Sequence, residues 1–141
     1  MPAESTTVHR ARVRWDCDDE DVRAHTIELA GQRVAASSAV QFGGNPEKAD
    51  PEEMFVASLS SCHMLWLIAL ARTEGLTVTS YEDDPEGTLD GTRFTRVVLR
   101  PRVMFETDPG HERVASLHRR AHERCFLANS VSCPVEVEPG R

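Results

Sequence analysis

The chain has 141 residues, of which 40% are hydrophobic and 28% are charged. This length and composition are typical of one globular domain with its own core, so we expect a single domain over residues 1–141. The formal net charge of −7 at pH 7 argues against a nucleic-acid-binding protein, because phosphate binding requires a basic face. Residues 1–7 are polar and lack the apolar segment of a secretory signal, so we expect a cytoplasmic protein with reduced thiols.

The first 50 residues have the pattern of a small antiparallel sheet. Apolar residues alternate along Val8–Trp15, which predicts a first strand. Two further segments, Thr26–Ala30 and Arg33–Ser37, flank a turn at Gly31-Gln32 and predict a hairpin. The Gly-Gly-Asn-Pro sequence at residues 43–46 then marks a loop.

A long helix is predicted from the signals at its two ends. Asp50 is a suitable N-cap, Pro51 suits the first helical position and Glu53 completes a capping box. The helix is expected to run to Glu74, with Gly75 in the left-handed position after its end.

This helix is apolar almost all round, so we expect it to be buried on nearly every side. Three serines and a histidine in its middle argue against a membrane span. Because so short a chain has little with which to surround such a helix, we expect a second subunit to cover it in a homodimer.

The remaining elements predict an α+β fold. Thr77–Thr88, with a bulge or kink, and Arg93–Glu106 are strand-like and are joined by the hairpin turn signal Asp90-Gly91. A second, amphipathic helix is predicted over Gly110–Phe126, and Val131–Val137 alternates as a closing strand. The expected architecture is an antiparallel sheet with one long buried central helix and one shorter helix.

The four cysteines carry the functional argument. Cys17 and Cys133 share the parity of apolar strand residues, and we interpret both as small hydrophobic residues. Cys62 lies in the middle of the long helix. Cys125 lies on the predicted buried stripe of the second helix, which comprises Val114, Leu117, Ala121 and Cys125. A thiol on each of two facing helices can form a redox pair, and both can equally be core residues.

A zinc site is the alternative use of the same residues. Cys62-His63 and His122-x-x-Cys125 offer four ligands, but neighbouring helix residues point about 100° apart, so we expect no metal. His63 and His122 are interpreted as core or supporting residues. The remaining histidines are interpreted as surface or strand positions: His9, His25, His111 and His118.

A nucleophilic Cys62 would need a cation to hold it as a thiolate. The helix dipole fades within the first turn, and Cys62 lies eleven residues beyond Pro51. Arginine suits a site that must also bind a polar O–O group, although the spacing does not show which arginine serves.

The segment Asp50–Met64, with the sequence DPEEMFVASLSSCHM, resembles the cysteine-bearing helix of the OsmC/Ohr family of peroxiredoxin-like proteins. Cys125, in the sequence AHERC, resembles that family's second cysteine. The separation of 63 residues between Cys62 and Cys125 and the order of elements also agree with the family. The resemblance covers nearly the whole chain.

The resemblance implies an OsmC-like fold in an intertwined homodimer and a thiol peroxidase without a cofactor. Cys62 would be the peroxidatic cysteine, Cys125 would resolve its sulfenic acid as a disulfide, and an external dithiol would restore both thiols. Glu52 matches the family's carboxylate, which orients an arginine. Because ten residues of helix span roughly 15 Å, Glu52 is expected to serve the partner's Cys62.

The sequence departs from the family at that arginine. The stretch Ser37–Gly44 contains none, so Arg23 and Arg33 are the nearest candidates. A thiol redox sensor or a small-molecule-binding protein without efficient turnover is therefore the alternative. Apolar residues that could bind the organic part of a peroxide, or could simply be core, are Met54, Phe55, Leu59 and Phe126.

Overall fold

A computed structural model describes residues 5–140 of the chain. The chain divides into two compact units at the junction of Glu52 and Glu53. The first unit is built on one small sheet, and the second contains most of the long helix, the second helix and two further sheets.

The sheet of the first unit is antiparallel, with the strands β1 (Arg12–Trp15), β2 (His25–Leu29) and β3 (Gln32–Ala36) in that order. The predicted hairpin is confirmed, but its turn lies at Ala30-Gly31 rather than one residue later. Both turn residues have positive φ, 51° and 77°, which is the turn geometry that fits the twist of a two-residue hairpin.

The long helix α1 spans Pro51–Thr73, so its predicted start is confirmed and its end lies one residue early. Gly75 has a φ of 73°, and the Leu76 N–H donates to the Ala71 carbonyl at 2.9 Å. This is a Schellman ending, which satisfies carbonyls that the helix leaves unpaired.

Each of the two long strands predicted after α1 is broken in two. The segments that follow α1 are β4 (Val78–Glu82), β5 (Glu86–Asp90), β6 (Arg93–Leu99), β7 (Arg102–Phe105), α2 (His111–Arg124) and β8 (Val135–Val137). β4 pairs with β7, whereas β5, β6 and β8 form a separate sheet. The break before β7 contains Pro101, which has no N–H for a ladder. The break between β4 and β5 and the break between β6 and β7 are joined by a hydrogen bond, in which the Asp83 carboxylate accepts the Arg100 N–H at 2.6 Å.

The closing strand β8 is shorter than predicted. It pairs parallel to β6, with Val97 opposite Val135, whereas the other strand pairs are antiparallel. The α+β class is confirmed, and the parallel pairing of β6 with β8 is a difference from the predicted antiparallel sheet.

Two apolar clusters pack against α1 in the second unit. The first apolar cluster joins α1 to α2 and comprises Trp66, Leu67, Leu70, Ala71, Leu117 and Ala121. The second apolar cluster joins α1 to β6 and comprises Val56, Leu59, Val97, Leu99 and Cys133. A single chain thus buries one face of α1, and residues on the other face, such as Ala57, Ser61 and Leu65, are exposed.

By length and composition alone, α1 could cross a membrane, since an 18-residue window reaches a mean hydropathy of 1.8. Its polar side chains are used within the fold instead. His63 is fully buried, and the Ser60 hydroxyl donates to the Asp83 carboxylate. These contacts are those of a core helix.

Candidate functional site

Cys62 and Cys125 are near enough for their thiols to influence each other. Cys62 lies on α1 and packs against the first apolar cluster. Cys125 is the residue that directly follows α2, with extended backbone angles of φ −63° and ψ 110°. Both thiols are free, and the Cys62 side chain acts on the ionisation of the Cys125 thiol. The structure therefore places near each other the two cysteines that the sequence singles out.

The environment of Cys125 keeps its thiol protonated. Burial raises the pKa of Cys125 to about 11, the nearby Cys62 side chain adds to the rise, and the Ala128 N–H opposes it by donating to Cys125 Sγ at 3.4 Å. Since the thiolate is the nucleophile, Cys125 needs a proton acceptor before it can attack another sulfur atom at neutral pH.

Alkylation should separate the cysteines by these environments. With iodoacetamide at pH 8, we expect Cys17, which is exposed, to react at least 10²-fold faster than Cys125, whose thiolate fraction at a pKa of about 11 is roughly 10⁻³. Mass spectrometry of the peptides gives both rates. In denaturant the rates should converge, and equal rates in the native protein would contradict the buried position of Cys125.

Two aromatic side chains and an arginine lie close in sequence to Cys62 and Cys125. Trp66 lies one helical turn after Cys62 and makes an edge-to-face contact with Phe126, with centroids 5.4 Å apart. The Arg124 guanidinium lies 5.8 Å from the centre of the Trp66 ring, within the range of a cation–π contact. Phe126 is 46% exposed, so a ligand approaching the thiols from this side can reach its ring.

A pair of buried histidines crosses the same helix interface. His63 is fully buried and His118 is 4% exposed, and His63 Nε2 lies 3.0 Å from His118 Nδ1. The ring planes differ by only 2°, and the centroids are 5.3 Å apart. The centroid separation exceeds the nitrogen–nitrogen distance by about two ring radii. The rings therefore meet edge to edge, as in an in-plane N–H···N hydrogen bond, and are not stacked face to face.

Burial keeps both imidazoles neutral. It lowers the pKa of His63 to about 3, with smaller contributions from His118 and His122. It lowers the pKa of His118 to about 4, although the Asp83 carboxylate acts in the opposite direction. The interpretation of His118 as a surface residue is wrong. Because His118 lies four residues after Val114, it is on the buried side of α2. This spacing could have predicted its burial, but a histidine is usually interpreted as a polar surface residue.

Asp83 anchors the polar end of this region. Besides the Arg100 N–H, its carboxylate accepts the Ser60 hydroxyl. Its charge also acts on Tyr81, where burial and then Asp83 raise the pKa of the phenol. Within residues 5–140, buried side-chain atoms of the second unit without a hydrogen-bond partner are His63 Nδ1, His118 Nε2, Trp66 Nε1 and Tyr81 Oη.

Three charged residues predicted for the site lie in the first unit. Glu52 is half-buried in the first turn of α1. The Arg23 guanidinium packs so closely on Gly43 that a Cβ added there would lie 3.1 Å from it. Arg33 lies on β3, largely exposed, and pairs with Glu28 at 3.8 Å. Their roles toward Cys62 stay predictions.

The apolar residues predicted to hold a substrate have different surroundings. Leu59 is 1% exposed within the second apolar cluster, and Phe55 stacks on Phe94 with centroids 4.8 Å apart. Met54 is half-buried. Of the four, Phe126 borders the thiol pair through Trp66, and substrate contacts at the other three stay predictions.

The other two cysteines differ from each other. Cys133 is buried in the second apolar cluster, as predicted. The prediction that Cys17 is a core residue is wrong, because it lies exposed in the turn after β1. Among residues 5–140, potential metal ligands lie within 4.8 Å of one another at Asp16, Cys17 and Asp18, all of which are exposed. The four residues weighed for zinc, namely Cys62, His63, His122 and Cys125, do not form such a group in this part of the chain.

Comparisons with known proteins agree with the fold. The OsmC-like protein family matches residues 43–139. An OsmC-like protein of unknown function from Vibrio cholerae is 37% identical, with a TM-score of 0.89 over 95% of this chain and 99% of that one. YmaD of Bacillus subtilis, which is uncharacterized, is 23% identical over 90% of this chain and 88% of its own length.

Two more distant structures share the fold. They are organic hydroperoxide resistance proteins from Legionella pneumophila, at 18% identity and a TM-score of 0.72, and from Elizabethkingia anophelis, at 17% and 0.73. The match to the Legionella protein covers 96% of this chain and 98% of that protein, and the match to the Elizabethkingia protein covers 97% of this chain and 96% of that protein. The family match extends over well more than half of the chain, and the chain belongs to the OsmC-like family.

Proposed function

We propose that the protein is a thiol-dependent peroxidase that reduces organic hydroperoxides through Cys62 and Cys125. The observation that carries the proposal is the proximity of two free thiols, that of Cys62 on α1 and that of Cys125 directly after α2. Family membership supports a redox role in general. The hydroperoxide resistance proteins that share the fold support hydroperoxides as the substrate class.

In the first half of the reaction, the Cys62 thiolate attacks the terminal oxygen of the hydroperoxide. The O–O bond breaks, the leaving alkoxide takes a proton and departs as an alcohol, and Cys62 is left as a sulfenic acid. Phe126 and Trp66 provide an apolar surface beside the thiols for the organic part of the substrate.

In the second half, Cys125 loses its proton and attacks Cys62 Sγ. A disulfide forms, the S–O bond breaks, and the hydroxyl group leaves as water. An external dithiol then reduces the disulfide through a mixed disulfide and is itself oxidised. The protein would act against oxidative stress in a reducing compartment, the cytoplasm, where such dithiols are available.

The proposal assigns activation of Cys62 to an arginine oriented by Glu52, with Arg23 and Arg33 as the candidates. It also includes a homodimer, because a single chain leaves apolar residues such as Leu65 exposed on α1. The family match runs across the junction at Glu52 and Glu53, which supports one OsmC-like domain.

A redox sensor is the second candidate, and the buried, protonated Cys125 thiol favours it. Slow closure of the disulfide would allow the sulfenic acid of Cys62 to persist as a signal. A sensor reacts once with peroxide and shows little turnover with a dithiol, whereas a peroxidase turns over many times.

One equivalent of cumene hydroperoxide followed by non-reducing peptide mapping tests the proposal. We expect a Cys62–Cys125 bridge that disappears when dithiothreitol is added, and multiple turnovers when both reagents are in excess. Oxidation confined to Cys17 or Cys133 would refute the assigned roles. A bridge that forms without turnover would support the sensor.

A further inference from the structure

The two cysteines of the proposed disulfide differ in how far solvent can reach them. Cys62 is half-buried on α1, whereas Cys125 is 1% exposed. A disulfide is reduced by a thiolate that attacks one of its two sulfur atoms while the other sulfur leaves, and the rate depends on access to the attacked atom. The two ends of a Cys62–Cys125 bridge are therefore not equivalent toward a reductant.

Hydrogen bonds hold the turn that follows Cys125 against the end of α2. The Asn129 N–H donates to the Cys125 carbonyl at 3.0 Å, and the Asn129 side-chain amide donates to the Glu123 carbonyl at 3.1 Å. The Ser130 N–H donates to a carbonyl within the turn at 3.0 Å. Ala128 also packs against the second apolar cluster. An attack on the buried Cys125 sulfur would require this fixed turn to open.

The same turn provides a hydrogen-bond donor for Cys125 as a leaving group. The Ala128 N–H donates to Cys125 Sγ at 3.4 Å. A sulfur atom that leaves a disulfide carries a negative charge, and a donor binds a charged acceptor more strongly than a neutral one. A donor is therefore in place for the Cys125 sulfur when the bridge opens.

The high pKa of the Cys125 thiol acts against its departure. Burial raises this pKa to about 11, although the Ala128 and Leu127 N–H groups oppose the rise. Sulfur atoms of higher pKa leave more slowly, here on the order of tenfold. A nucleophile that cannot reach a buried sulfur loses far more than this factor, so access decides. The hydroperoxide of the proposed function has to reach Cys62, and a reductant can use the same route.

We propose that an external dithiol reduces the protein by attacking Cys62, so that the mixed disulfide forms there and Cys125 leaves. This inference rests on the proposed function. A thiolate of the dithiol forms a bond to Cys62 Sγ, the bond between the two protein sulfur atoms breaks, and the Cys125 thiolate takes up a proton from water. The second thiolate of the dithiol then attacks its own sulfur in the mixed disulfide and releases Cys62 as a thiolate. The dithiol is oxidised to a cyclic disulfide, and its two electrons pass to the protein.

Trapping of the mixed disulfide tests the proposal. The Cys17→Ser variant, which lacks the exposed thiol, is oxidised with diamide, which is itself reduced to the hydrazine, so the bridge forms without peroxide chemistry. A brief reaction with β-mercaptoethanol, which has no second thiol to resolve the adduct, is stopped with acid. N-ethylmaleimide then marks the released cysteine, and peptide mapping shows which cysteine carries which group.

We expect roughly 90% or more of the adduct on Cys62, with maleimide on Cys125. In oxidised protein unfolded in urea, both cysteines should carry the adduct in similar amounts, because the burial is lost. The double variant Asn129→Ala/Ser130→Ala loosens the turn and should raise the share on Cys125 roughly threefold or more. The matched control is Ser80→Ala, an exposed serine on β4, which should leave the share unchanged.

An adduct on Cys125, or equal adducts on both cysteines of the folded protein, would overturn the inference. An unchanged share in the double variant would contradict the role of the turn. Failure of diamide to form the bridge would overturn both the inference and the proposed redox pair. A bridge that forms with diamide and not with cumene hydroperoxide would refute the peroxidase alone, and the mapping would still decide which sulfur is attacked.

Discussion

Replacing Cys62 by serine is expected to reduce hydroperoxide consumption by roughly 10³-fold or more, to the level of the uncatalysed reaction, because serine provides no thiolate to attack the O–O bond. Cys125→Ser should still consume one equivalent of peroxide. Its Cys62 sulfenic acid then has no partner thiol, so it should persist and be trapped by dimedone as a mass shift on the Cys62 peptide.

Two cysteines serve as controls for this pair. Cys17→Ser and Cys133→Ser should each retain wild-type turnover, since one thiol is exposed in the turn after β1 and the other packs in the second apolar cluster. Full turnover by Cys62→Ser would contradict the proposed chemistry. With the thiols intact, Arg23→Ala and Arg33→Ala should show which arginine activates Cys62, as the one that slows the first peroxide reaction.

Lowering the pH from 7 to 5 is expected to reduce the free energy of unfolding by about 3–4 kcal/mol. His63 and His118 have lowered pKa values in the folded state, about 3 and about 4, against about 6.5 in the unfolded chain. Between these values the unfolded state binds two more protons than the folded state, so stability falls as the pH drops. The loss should begin near pH 6.5 and level off as the pH passes through about 4 and then about 3. Urea unfolding at each pH measures it.

The double variant His63→Leu/His118→Leu is the control for this effect. Replacing both partners by apolar side chains of similar size leaves no unpaired polar group, so the variant should fold and its stability should be nearly flat between pH 7 and pH 5. Glu74, whose pKa is lowered by its hydrogen bonds to Arg120 and Arg113, loses its charge only at lower pH and does not interfere. Unchanged wild-type stability across this range would contradict the buried neutral histidines.

The sequence predicts α1 well because the signals at its ends are local. Pro51 and Gly75 act through their own backbone geometry, whatever surrounds them. The break before β7 depends instead on Asp83 accepting an N–H from Arg100, seventeen residues away in the chain. Strand patterns carry no information on such a contact, so two long strands are predicted where four short ones exist.

At the candidate site, too, the sequence predicts what depends on local spacing and misses what depends on distant contacts. The sequence singles out Cys62 and Cys125 because both lie among apolar residues at helical spacing and match the cysteines of the family that the chain resembles, and their roles stay predictions. His118 has the right spacing as well, but a histidine on a charged helix is more often exposed, and its burial depends on a partner 55 residues earlier. The prediction for Cys17 is wrong in the opposite direction: it expects a buried residue, whereas β1 ends at Trp15 and Cys17 lies exposed in the acidic turn that follows.

In the proposed redox cycle, the position of Cys125 one residue beyond α2 determines which part of the chain moves on oxidation. A disulfide requires its sulfur atoms to approach to about 2.05 Å, closer than any two separate thiols. Cys125 has extended backbone angles and begins a short turn that includes residues Ala128–Ser130, so we expect the movement that closes the proposed disulfide to be made in this turn. The packing of α1 in the two clusters is then expected to stay the same in the oxidised and the reduced protein.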